Sequence, residues 1–288
     1  MKPSVQNPRG VLTVACPDRK GVVAAVSHFL FEHDCNIIDS SQFGDRKNGR
    51  FFLRTYFESE SGTETPELEA AFASIAREFA MEAQFYDNAR KTRALIMVSR
   101  FGHCLVDLLY RVRIGALPIE VPMVVSNHRD LADVAAANGI PFRYLPVTPD
   151  NKQEQEDALL EILEAKRIDL VVLARYMQVL SSDVTNRCMG RIINIHHSFL
   201  PSFKGARPYH QAYERGVKLI GATAHYVTED LDEGPIIEQE VERISHAAAP
   251  EECVAVGRDI ESRVLARAVK WHAEHRVLLN GGRTVVFT

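Results

Sequence analysis

The side chains best suited to chemistry in this chain lie in the run Arg191-Ile192-Ile193-Asn194-Ile195-His196-His197-Ser198. An apolar strand ends there, and because strand side chains alternate, Asn194 and His196 share one face. An Asn amide is a donor for a developing oxyanion, and a His two residues on can donate beside it or shuttle a proton. A single Asn-x-His is more often a strand end with two satisfied polar residues. Two further segments change that weighting. Gly205-Ala206-Arg207-Pro208-Tyr209-His210-Gln211-Ala212 clusters polar rings and an Arg just beyond the strand. Gly221-Ala222-Thr223-Ala224-His225-Tyr226-Val227-Thr228 leads into the turn Glu229-Asp230-Leu231-Asp232-Glu233-Gly234-Pro235, where Gly234-Pro235 constrains the backbone after Asp232. Taken alone, such a charged turn is an ordinary solvated loop.

Metal chemistry is a rival for the same region. His196, His197, His210 and His225 have ligand atoms, yet none sits in a spacing such as HExxH. Adjacent His196 and His197 point to opposite faces if the strand continues. The expectation is a site without a metal and without a bound cofactor.

Two patterns of elements position these residues. Over the first 80 or so residues (about the size of one small domain) the order is β-α-β-β-α-β, which is ferredoxin-like. Val11–Cys16 and Met81–Tyr86 are the outer strands in sequence, with Asn36–Phe43 and Arg50–Phe57 forming a hairpin around Asp45–Gly49. Helices span about Gly21–His33 and Pro66–Ala80, with Pro66 placed for a first turn. From Arg93 onward strands alternate with helices, which predicts a doubly wound, mostly parallel α/β sheet with ligands at the carboxyl ends of its strands. Asp169–Leu173 is apolar and β-branched enough for a central parallel strand. A long helix over Pro250–His275 and a hairpin at Asn280-Gly281-Gly282 close the chain. The expected domains are 1–87 and 93–288, joined by a polar linker at 88–92.

Bulk properties set limits. A length of 288 residues suits two domains, and 46% hydrophobic with 25% charged residues is ordinary for a globular protein. A net charge of −4 argues against a general nucleic-acid binder. Apolar runs fall short of the roughly 18 residues of a membrane span. Five cysteines without a CxxC read as reduced thiols, so the expected location is cytoplasmic.

Asn-Ile-His followed by Ser-Phe-Leu-Pro, then Gly-Ala-Thr-Ala-His, then Leu-Asp-Glu-Gly-Pro, resembles the formyltransferase family that uses 10-formyltetrahydrofolate. The resemblance implies that Asn194 and His196 flank the formyl carbonyl and that Asp232 completes the site. Val172–Leu180 looks like that family's pterin-binding loop, so Met177, Gln178 and Leu180 would meet the pterin. Glu229, Asp230 and Gly234 would lie on its other side, with His225 reaching the site from its own strand or serving as a structural partner. Lys204, Arg207 and His210 are weaker candidates for the folate's acidic tail.

The best-known relatives formylate glycinamide ribonucleotide and open their first strand into a Gly/Ser/Asn loop that cradles phosphate. Here that place reads Ser99-Arg100-Phe101-Gly102-His103-Cys104-Leu105, with one glycine and poor support for such a cradle. Gly102 also departs from an Asp expected before His-Cys-Leu. The first 87 residues resemble an ACT domain through the Cys16-Pro17-Asp18-Arg19-Lys20-Gly21 turn. An ACT domain ahead of a formyltransferase-like domain resembles the formyltetrahydrofolate deformylase family. That likeness implies hydrolysis of 10-formyltetrahydrofolate to tetrahydrofolate and formate, serving one-carbon metabolism and purine biosynthesis. It also implies an amino-acid regulator, glycine and methionine both remaining open, and a homo-oligomer. Formyl transfer to an amine such as glycinamide ribonucleotide, and a non-catalytic sensor, are the competing readings.

Overall fold

A computed structural model describes residues 7–201 and 208–288, the side chains of Pro208 and His210 excepted. The chain divides into two compact units. In the first, β1 (Arg9–Pro17), α1 (Val22–Glu32), β2 (Cys35–Asp45), β3 (Arg50–Ser59), α2 (Thr65–Glu78) and β4 (Glu82–Asp87) follow in order. The four strands pair antiparallel as β2-β3-β1-β4, the ferredoxin-like arrangement expected. Pro66 sits in the first turn of α2, where its missing N–H is not needed. Leu12, Val14 and Cys16 of β1 face the helices and meet Phe29, Leu30 and Phe72. The alternate residue Ala15 and Phe52 of β3 face the other way and are buried too.

Their cover comes from the far end of the chain. A C-terminal hairpin of β12 (Val277–Asn280) and β13 (Arg283–Val286) brings Leu278, Val285 and Phe287 onto Ala15 and Phe52. Asn280 Nδ2 donates to Asp45 Oδ2 at 2.8 Å, and Arg54 Nη2 to the Glu274 carbonyl at 3.1 Å. Glu274–Asn280 and Val285–Thr288 therefore group with the first unit. Local pattern assigns these segments to the second domain, because the partners that bury their apolar side chains are more than 200 residues away.

The second unit runs from Thr92 to Ala273, with Gly281–Thr284. It contains β5 (Thr92–Val98), α3 (His103–Arg113), β6 (Ile119–Ser126), α4 (Ala132–Ala137) and β7 (Phe142–Tyr144). Then come α5 (Lys152–Ala165), β8 (Leu170–Leu173), α6 (Ser182–Arg187), β9 (Ile192–His196), α7 (Pro208–Glu214), β10 (Leu219–Tyr226), β11 (Ile236–Arg243) and α8 (Pro250–Ala273). Its seven-stranded sheet has the order β11-β10-β9-β8-β5-β6-β7. The five strands from β9 to β7 are parallel, while β10 and β11 are antiparallel additions at one edge. The sheet is thus doubly wound and mostly parallel. As the middle strand, β8 is buried at every residue, which explains its uninterrupted apolar run. Strand order reverses between β5 and β8, and the carboxyl ends of strands at such a switch point form a crevice. No helix among the described residues is long and apolar enough to cross a membrane, and all five cysteines are free and buried.

Candidate active site

Alternation along β9 brings Asn194 and His196 to the sheet edge, and β10 supplies the next group. Its antiparallel register sets His225 opposite Asn194 and Thr223 opposite His196. His225 is buried, and its Nδ1 donates to the Tyr226 carbonyl at 2.9 Å. That bond leaves Nε2 as acceptor for the Asn194 amide, whose Nδ2 lies 3.2 Å away. The second Asn194 N–H remains for another acceptor.

Asp232 reaches the same point from the loop after β10. Its Oδ1 is 3.2 Å from His196 Nδ1 and 3.6 Å from His225 Nε2. Two backbone features aim it. Asp232 has φ of +58°, a left-handed conformation that Asp adopts more readily than most residues. Two residues on, a Cβ at Gly234 would sit 1.7 Å from the Tyr226 carbonyl oxygen, so only glycine lets the loop close on β10. Burial pushes the Asp232 carboxyl up, but the hydrogen bond from His196, with the His225 ring beside it, outweighs that and holds the group well below the usual carboxylate range. With Nδ1 turned to Asp232, His196 presents Nε2, which is buried without a hydrogen-bond partner among the described residues. An ionised carboxylate, an oriented imidazole and a free amide N–H therefore converge. Groups of these types can supply a base with its orienting carboxylate and an oxyanion donor.

Comparison with known proteins identifies the family. The formyl transferase family model matches residues 92–269, and the ACT domain model matches 10–76. Formyltetrahydrofolate deformylase of Corynebacterium sp. (strain P-1) is 50% identical over 279 residues, 96% of this chain and 98% of that one. The chain belongs to the formyltetrahydrofolate deformylase family. The crystal structure of the Burkholderia mallei deformylase superposes with a TM-score of 0.93 at 52% identity, covering 98% of this chain and 100% of that one. Glycinamide ribonucleotide transformylase 1 of Symbiobacterium toebii matches at a TM-score of 0.66 and 31% identity, over 70% of this chain and 97% of its own. The first unit of this deformylase-family chain is accordingly its ACT domain, and the second its formyltransferase domain.

Two loops of the formyltransferase domain flank the trio. The segment after β8 is held by Ser99, whose Oγ donates to Asn127 Oδ1 at 2.7 Å and accepts from Met177 N at 3.0 Å. Gln178 and Leu180 line a cleft with Met97, Leu145 and Tyr176, while the Met177 side chain is exposed. Glu229 and Asp230 are also exposed. Asn186 of α6 donates to Glu229 Oε1, tying the Asp232 loop to the helix that follows the Met177–Leu180 segment. Lys204 and Arg207 lie outside the described residues, as does the His210 side chain.

A second polar cluster has no counterpart in the sequence reading. Glu261 of α8 is 1% exposed and accepts from His103 Nε2 and from Tyr209 Oη, each at 2.7 Å. Arg175 Nε lies 3.4 Å from the same carboxylate. Burial pushes the Glu261 carboxyl up, and His103, Arg175 and Tyr209 together bring it below its ordinary value. The Tyr209 ring fits because α8 carries Gly257 beneath it, where a Cβ would come within 2.2 Å of that ring. His197 joins this cluster to the trio, its ring 5.2 Å from that of His196 and 6.5 Å from that of Tyr209. Burial, then Arg175 and His196, push His197 down to about 3, so it is neutral at physiological pH. His103, Cys104 and Glu261 have ligand atoms within 4.8 Å of one another. However, His103 already bonds Glu261 directly, and the adjacent guanidinium would repel a cation. A sequence signal for Glu261 exists: it shares helical spacing with Gly257, Val264, Leu265 and Ala268, all buried.

Proposed function

We propose that this protein hydrolyses 10-formyltetrahydrofolate to tetrahydrofolate and formate, with Asn194, His196 and Asp232 as its catalytic residues. The carrying observation is the arrangement of His196, its Nδ1 facing an ionised Asp232 and its Nε2 buried and unpartnered among the described residues. His196 Nε2 takes a proton from water as the oxygen attacks the formyl carbon, and Asp232 stabilises the imidazolium that forms. Negative charge then gathers on the formyl oxygen, where Asn194 Nδ2 donates. One such donor contributes about 3 kcal/mol. Collapse of the intermediate breaks the carbon–nitrogen bond, the folate nitrogen gains the proton from His196, and formate leaves. In this reading His225 positions Asn194, and no step needs a metal or cofactor.

The folate binds along Met177, Gln178, Leu180, Glu229, Asp230 and Gly234. Support comes from the tie between the two loops. Regulation is by an amino acid, glycine or methionine, at an interface between ACT domains in a homo-oligomer, and the location is cytoplasmic. The ACT match and the five buried free thiols support those readings. The deciding experiment follows formate release from 10-formyltetrahydrofolate by the chelator-treated protein, with and without glycinamide ribonucleotide. Formate in both arms supports hydrolysis. Formate in neither, with formylated ribonucleotide in the second, would reassign the protein as a transferase.

A further inference from the structure

The Glu261 cluster stands at a particular place on the sheet. In the parallel register Leu173 of β8 is beside Asn194 of β9 and Met97 of β5. Two residues past each lie Arg175, His196 and Ser99, all at the switch-point edge. Arg175 thus emerges between the catalytic strand and the loop Ser99–Gly102, the place where phosphate would be cradled in ribonucleotide-formylating relatives. Here that loop is committed to internal contacts. Arg175 and Arg258 both lie over the Phe101 ring, at 5.4 and 5.5 Å. A Cβ at Gly102 would come within 2.8 Å of Leu131, and His103 is bound by Glu261.

The geometry points to a specificity role for this cluster: Arg175, held by Glu261 with His103 and Tyr209, closes the acceptor side of the formyl site and restricts the acceptor to water. The inference rests on the hydrolytic reading above and names what enforces it. An amine on a ribonucleotide must bring its sugar and phosphate past the Phe101 ring, against which Arg175 and Arg258 both pack. A water needs only the space of one oxygen. Hydrogen bonding works in the same direction. Arg175 is 9% exposed, and its Nη1 is buried without a hydrogen-bond partner among the described residues. A guanidinium N–H donates to one lone pair of a water and leaves the second free to attack, whereas the single lone pair of an amine cannot do both. Either nucleophile would follow the same bond changes: attack on the formyl carbon, loss of a proton to His196, and cleavage of the bond to the folate nitrogen. Water yields formate, and an amine in its place would yield an N-formyl amine.

Competition between water and glycinamide tests this in the full-length protein, with 13C-formyl-labelled 10-formyltetrahydrofolate and both products read by NMR. The unaltered protein is expected to give formate alone at saturating glycinamide. Arg175→Gly is the informative variant, because φ of +64° at this position suits glycine without strain. It should slow formate release and bring the formylglycinamide fraction to about tenfold or more above the detection limit, the scale on which a closed pocket discriminates. Tyr209→Phe, which keeps the ring over Gly257 but removes a donor to Glu261, should shift the partition in the same direction by less. A folded Arg175→Gly protein with normal folate binding and an unchanged partition would overturn the role, since a purely structural loss scales both products equally. So would ready formylation of glycinamide by the unaltered protein, a result that needs no variant to fold. Failure of the hydrolytic reading looks different: no formate is released even without amine.

Discussion

Asp232 keeps its charge in a half-closed site because two imidazoles face it, and this makes its removal informative. Asp232→Asn retains the shape but not the charge that stabilises an imidazolium at His196. The expected loss in kcat is about 10²–10⁴-fold, the usual range for acid–base groups, with folate affinity measured by fluorescence largely kept. His196→Ala should lose a similar amount, and near-normal turnover in both variants would sink the assignment. Acid stability separates two groups. The Asp232 carboxyl is depressed in the folded state, so its contribution is present above the unfolded value of about 3.9 and disappears as pH falls through the folded value. His197 is depressed to about 3, and its neutral form is favoured by folding. Its contribution is present above the unfolded value of about 6.5 and declines as pH falls below that. Thermal denaturation from pH 7 to pH 3 should therefore show His197→Gln converging with the parent from about pH 6.5 downward. Asp232→Asn should converge only below about pH 4.

At the scale of elements, the site is an agreement between two antiparallel strands and one glycine-dependent turn. The β9–β10 register puts His225 beside Asn194, and a slip of β10 by one residue would turn His225 away from the site. Gly234→Ala puts a methyl against the Tyr226 carbonyl. It should push Asp232 off His196 and cost about 1–3 kcal/mol of stability, the usual range for overpacking. Formate release should fall to near that of Asp232→Asn, and a fully active Gly234→Ala protein would remove the turn from the mechanism. The elements themselves were legible in advance. The strand Leu170–Leu173 and the helix Pro250–Ala273 follow the sequence pattern closely, because each carries a local signal of periodicity. Ser181 caps α6 by accepting from Val184 N. What escaped was Glu261, a carboxylate on the buried stripe of α8, since amphipathic spacing does not say whether donors await it.

Across the whole molecule, the C-terminal hairpin decides how the ACT domain completes its core. Phe52 is fully buried, and the hairpin residues Leu278, Val285 and Phe287 cover it. Leu278→Ala should cost about 2–5 kcal/mol, as large-to-small core changes do, with the loss appearing in the unfolding of the ACT domain. Hydrogen exchange would locate it in β1 and β3, and protection lost only in the formyltransferase domain would contradict this packing.

The sequence alone determined the two-part architecture and the mostly parallel sheet, because periodicity is a local property of the chain, and its short motifs singled out Asn194, His196 and Asp232 as candidates. Their spacing even implied which face of β9 would carry the chemistry. Tertiary structure decided three matters that no local pattern encodes. It made His225 a partner of both Asn194 and Asp232, through strand pairing across 31 residues. It gathered Glu261, His103, Arg175 and Tyr209 from four separated segments. It also folded the last residues back onto the first sheet. In each case a buried polar or apolar group needed a partner that only the closed chain could bring to it.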